Sequence, residues 1–150
     1  MRYPIGWEIA SCHSCSDPKA PNVFVDFFPP GEKNSDGWVM VEHLADKPSD
    51  MSVDAWFAQV KQTANLNARI QEQRFDLNGL PALKVRYRNP SEGGYEMECV
   101  YVVSGSRTFE IEFSSDISGS TIDSLGNYPT YLQMLGTFKV TNPQSERSPR

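Results

Sequence analysis

"GLPALKVRYRNPSEGGYEMECVYVVSGSRTFEIEFSS", Gly79 to Ser115, is the most regular part of the chain, and its alternation decides the fold. Leu83, Val85 and Tyr87 alternate with Lys84, Arg86 and Arg88. Tyr95, Met97, Cys99, Tyr101 and Val103 share one parity, against Glu96 and Glu98 on the other. Phe109, Ile111 and Phe113 oppose Glu110 and Glu112. A period of two places alternate residues on opposite faces of a strand. "PSEGG" and "GSR" supply hairpin loops between the runs, so the stretch reads as a three-strand antiparallel meander. Keeping apolar faces together sets Arg88 across from Glu96 and Arg86 across from Glu98 in the first hairpin, and Val103 across from Phe109 in the second. Opposite-charge cross-strand pairs contribute about 0.2–1 kcal/mol each, so the charges support the register while the buried face supplies most of the stabilisation.

Upstream, "NG" at Asn78–Gly79 is a tight-turn signal, preceded by "ARIQEQRFDL", a polar run that reads as an edge strand. "SVDAWFAQVKQTA" is a helix: Val53, Trp56, Phe57, Val60 and Ala64 recur on one face. Ser52 is placed to cap it, and Asp54 lies in the first turn, where the dipole favours an anion. "IGWEIA" is a short strand. "NVFVDFF" and "WVMVEHL" are strands apolar on both parities, joined through "PPGEKNSDG" as a hairpin. Downstream, "SDISGSTIDSLGN" is a polar loop with room for a helical turn. In "YPTYLQMLGTFKV", Tyr131, Leu132, Leu135 and Phe138 have helical spacing, Pro129 suits the first turn, and "TFKV" is expected to be extended. The expectation is a single domain over residues 1–140 and a disordered tail over 141–150, since "TNPQSERSPR" has no aliphatic or aromatic residue.

The element order is strand, strand, strand, helix, strand, meander, loop, helix. It resembles the PsbP-like family, which includes the extrinsic oxygen-evolving-complex protein of photosystem II, a yeast Ran-binding import factor and bacterial lipoproteins of unknown function. Four stretches carry the resemblance: "YPIGW" as an aromatic-Pro-x-x-Trp entry, "VDAWFAQV" as the amphipathic helix, the meander with "EGG" at its hairpin, and "YLQMLGTFKV" as the closing helix and terminal strand. The resemblance implies an α+β fold, an antiparallel β-sheet with helices packed on its faces. It implies a non-catalytic accessory domain with a protein partner, and it carries over no catalytic residue and no cofactor. It also favours an extracytoplasmic location, with a leader removed, over a cytoplasmic one.

The 150 residues carry a net charge of −5, which argues against nucleic acid, since that ligand rewards basic patches. The apolar runs are only a few residues long, too short for a membrane-spanning helix. Chemistry is sparse. "SCHSCSDPKAP" (Ser11 to Pro21) is no haem attachment signal, because Ser16 and not His follows Cys15. Pro18 and Pro21 count against the helix that a thioredoxin-like pair needs. Zinc would need four ligands, with Cys12 and Cys15 joined by His13 or His43 and Cys99. This metal site is the alternative reading, that of an extracytoplasmic ligand- or metal-binding protein. A local Cys12–Cys15 disulfide is a third. Two thiols in an ordinary loop is the reading taken, with Cys99 a small buried hydrophobe.

Several other features have two readings. His43 beside Glu42 reads as a surface histidine rather than a general base. The Lys84/Arg86/Arg88 and Glu96/Glu98 stripes read either as a charged docking face or as a sheet face, solvated or covered by a helix layer. Trp7, Trp38 and Trp56 read as core rather than as one ligand pocket.

Overall fold

The structure, a computed structural model, describes residues 1–9, 23–31, 36–63, 69–88, 94–115 and 117–141. Seven strands form one antiparallel sheet: β1 (Glu8–Ile9), β2 (Val23–Phe28), β3 (Trp38–His43), β4 (Arg69–Leu77), β5 (Leu80–Arg88), β6 (Glu96–Ser104) and β7 (Arg107–Ser114). Helix α1 (Val53–Thr63) follows β3, and a 3-10 turn (Ile122–Ser124) and helix α2 (Tyr128–Gly136) follow β7. Across the sheet the strand order is β1-β2-β3-β7-β6-β5-β4, so β7 folds back to join the first hairpin to the meander.

A helix covers each face. Trp56 and Phe57 of α1 pack on Leu83, Val85, Cys99, Tyr101 and Val103. On the other face Tyr131, Met134 and Leu135 of α2 pack with Ile122 and Phe138 on Val39, Val100, Val102, Ile111 and Phe113. Each large apolar side chain fully removed from water contributes about 1.5–3 kcal/mol before entropy is counted. The buried tryptophans, Trp7 and Trp56, belong to opposite clusters, so they form no common pocket.

Local chemistry explains the boundaries. Ser52 Oγ accepts a bond from Ala55 N–H at 3.1 Å and caps α1. Asn78 and Gly79 both adopt positive φ, 55° and 87°, as a two-residue hairpin turn requires. The Asn78 amide also donates to the carbonyls of Gly136 and Phe138, at 3.0 and 2.9 Å, and so ends α2. Residues 137–140 form no strand, which corrects the expected extended "TFKV"; Phe138 instead enters the core beneath that cap. Among the described residues of "IGWEIA", only Glu8 and Ile9 are paired, to Phe28 and Phe27.

The first meander hairpin has the expected register, Arg86 across from Glu98 and Arg88 across from Glu96. The second does not: Val103 faces Thr108, and Phe109 faces Val102. The loop is only Gly105–Ser106, with Gly105 at φ 66°, which pairs Ser104 with Arg107 and fixes everything beyond. A one-residue shift turns a strand over. Here it is tolerated because β6 is apolar on both parities from Cys99 to Val103, so Phe109, Ile111 and Phe113 join Val100 and Val102 under α2. The domain expectation for residues 142–150 lies outside the described residues.

Candidate functional site

The turned-over β7 creates the one concentration of acidic chemistry on the described sheet. Glu110 and Glu112 project to the α1 side, where β7 neighbours are Glu42 and Met40 of β3 on one flank and Tyr101 and Cys99 of β6 on the other. Asp26 of β2 lies across from Met40 and completes the row. Glu42 and Glu110 are direct cross-strand partners, a like-charge juxtaposition that costs stability when both are ionised.

The electrostatics follow from crowding and burial. The Glu112 carboxyl is pushed up to about 7 by burial, and Glu110, Asp26 and Glu42 push the same way, while a 2.9 Å bond from Ser114 Oγ draws it back. Burial also raises Glu110, against the pull of bonds from Cys99 and Tyr101, and burial raises Glu42. The Cys99 thiol, fully buried and 3.7 Å from Tyr87 Oη, stands well above the usual thiol range through burial and then the neighbouring carboxylates. Donor atoms of Cys99, Glu110 and Glu112 lie within 4.8 Å of one another. Burial and mutual repulsion thus both favour the protonated forms of these groups.

On the other face the charged stripe is covered. Glu98 is fully buried, and Arg86 reaches its Oε2 at 3.1 Å through Nη2 and at 3.3 Å through Nε. Tyr128 Oη donates to the same oxygen at 3.0 Å, and Arg86 Nη1 extends to Asp123 at 3.0 Å. Glu96 accepts the backbone N–H of Ile122 at 3.0 Å and pairs with Arg88 at 3.1 Å. These bonds clamp the 3-10 turn and α2 onto the sheet, so this part of the stripe is an internal joint and not a docking face.

Of the predicted ligands, His43 and Cys99 are among the described residues, and these two do not come together. His43 ends β3 on the α2 side, its ring 5.2 Å from that of Phe109, with Nε2 3.4 Å from Asp46 Oδ1 but not aligned for a hydrogen bond. Glu42 points to the opposite face, so no Glu42–His43 pair forms. Cys99 is also on the α1 side, which separates it from His43 by the sheet and removes a zinc set containing both. Cys12, His13 and Cys15 lie outside the described residues. The Glu110/Glu112/Cys99 cluster was not foreseen; the two-residue "GS" loop and the apolar Val100 and Val102 were the signals that could have found it.

No family model matches the sequence, and no curated protein matches it. Among solved structures it is similar to the solution structure of cyanobacterial PsbP (CyanoP) from Synechocystis sp. PCC 6803, with a TM-score of 0.51 and 17% identity over 90% of this chain and 79% of that one. With seven antiparallel strands and a helix on each face in the same arrangement, this chain has the PsbP-like fold.

Proposed function

We propose that this domain is a non-catalytic accessory module that works by docking onto another protein, outside the cytoplasm. The observation that carries the reading is a group of exposed apolar side chains at the β1 edge of the sheet. Ile5 is fully exposed, Ile9 is 54% exposed and Tyr3 44%, all within seven residues of chain. Scattered apolar side chains are ordinary, but three of them so close in the chain beside a sheet edge support a contact surface there. Tyr3 is held in place by its ring contact with Phe27, 5.2 Å between centroids, so the group sits on a defined base. The resemblance to PsbP-like accessory proteins supports the same reading.

A photo-crosslinking amino acid at position 5, introduced in the source organism, tests it. The expected result is one dominant protein adduct, competed away by wild-type protein and not by the Ile5→Asp/Ile9→Asp variant. Absence of a dominant adduct, or equal competition by both proteins, refutes the reading.

A second reading, metal binding, is favoured by the Cys99/Glu110/Glu112 cluster, a thiol and two carboxylates of the kind zinc accepts. It uses none of Cys12, His13, Cys15 or His43. Calorimetric titration with zinc should show one site that is lost in both Cys99→Ser and Glu112→Gln; binding that survives both variants excludes this cluster.

A further inference from the structure

Strand β4 is the last strand of the sheet, paired with β5 on one side and with no described strand on the other. It runs for nine residues, while β1 at the opposite edge has two. Natural edges are blunted by brevity, proline, bulges or inward charges, because unpaired N–H and C=O groups recruit another strand. β4 has no proline, and its one irregularity lies at its start, between Arg69 and Gln71. From Gln71 to Leu77 its pairing with β5 is regular, and residues 71–74 are exposed.

Its charge order is complementary to itself. Glu72 and Arg74 lie across from Val85 and Leu83 and so share the α1 face; Gln71, Gln73 and Phe75 share the other. About a two-fold axis through Gln73, an antiparallel second copy would place Gln73 against Gln73, Glu72 against Arg74, Arg74 against Glu72, and Gln71 against Phe75. Every residue then meets one on its own face, and both charged pairs have opposite sign. Moving the axis one residue towards the start puts Glu72 on Glu72. Moving it one residue the other way puts Arg74 on Arg74 and Glu72 on Asp76. Only the axis at Gln73 is free of such repulsion among these three. Helix α1 extends the pairs, since Lys61 Nζ is 2.8 Å from Glu72 and Arg74 Nη1 is 2.9 Å from Asp54. Each contact across the axis therefore continues as an alternating row, Lys61, Glu72, Arg74 of the second copy and Asp54 of the second copy.

We propose that the chain associates with a second copy of itself through β4, antiparallel about a two-fold axis at Gln73, joining two sheets into one. The interface is isologous, so the same strand supplies both sides and assembly closes at two copies.

The test is a charge swap between copies, read by sedimentation equilibrium on the full chain. Wild type is expected to show a reversible monomer–dimer equilibrium. Glu72→Arg alone and Arg74→Glu alone each place like charges across the axis and should weaken self-association by about tenfold or more. In an equimolar mixture, the arginine introduced in one variant meets the glutamate introduced in the other, and a heterodimer should form with near wild-type affinity. Circular dichroism of each variant shows whether it is folded. A separate Gln73→Cys variant, made with Cys12→Ser and Cys15→Ser, should form a disulfide-linked dimer on mild oxidation, while Gln71→Cys in that background should not. A wild type that sediments as a monomer at its highest soluble concentration overturns the proposal. So does a dimer in which the mixture regains nothing and Gln73→Cys fails to cross-link.

Discussion

Replacing Glu112 with glutamine should flatten the dependence of stability on pH. The native carboxyl titrates near 7 while an ordinary one titrates near 4.5. Between those values the folded chain keeps a proton that the unfolded chain has lost. The stabilisation is therefore complete below about pH 4.5, falls as pH rises, and is gone above about pH 7. A displacement of that size corresponds to about 3 kcal/mol, an upper figure because cluster and solvent relax. Glu110 and Glu42 are raised as well and add to the same slope. Glutamine keeps the shape and an acceptor for Ser114 Oγ but has no proton to release. Urea unfolding at pH 5 and pH 8, followed by tryptophan fluorescence, gives both stabilities. Wild type should lose about 2.5 kcal/mol more than Glu112→Gln between the two conditions, since part of the effect is already gone at pH 5. Equal losses in the two proteins would refute the account, because the slope would then arise elsewhere.

Three further outcomes follow from the packing. Glu98→Ala strands the part-buried Arg86 and should cost about 3–5 kcal/mol in urea unfolding, whereas Arg88→Ala, at a half-exposed pair, should cost less than about 1 kcal/mol. Gly37→Ala should lower the melting temperature sharply, since Gly37 has φ 97° and the Phe113 ring occupies the space a Cβ would need; a wild-type melting curve would show that neither matters. Phe57→Ala empties the centre of the α1 cluster and should cost about 3–5 kcal/mol by the same unfolding assay.

How far the sequence could be read depended on which residues carried a second constraint. The first meander hairpin was legible because Arg86/Glu98 and Arg88/Glu96 agree with the apolar alternation, so hydrophobicity and charge both exclude a slip. Helix α1 was legible from spacing and from Ser52. The second hairpin was not, because Val100, Val102, Cys99, Tyr101 and Val103 offer Phe109 an equally apolar neighbour on either face. Turn geometry broke the tie, and it moved Glu110 and Glu112 onto Cys99. The acidic cluster depends on that one loop, so a reading that paired Val103 with Phe109 had to miss it. The closing residues 137–140 were misread as a strand because the Asn78 side chain, 60 residues away from Phe138 in sequence, takes up the carbonyls that a strand would have paired.

Strand β6 has a further consequence. Its residues from Glu96 to Val103 are all buried, alternately beneath α1 and beneath α2. Loss of either helix layer alone would leave one of its faces covered and its ladders to β5 and β7 intact. The amides of Val100 and Val102 can therefore reach solvent only when the whole molecule opens, so they report global stability. Those of β1, the two-residue strand at one margin of the sheet, exchange through local fraying. The domain then behaves as one cooperative unit built around a shared wall, with its tolerance for motion pushed outward to the β1 margin.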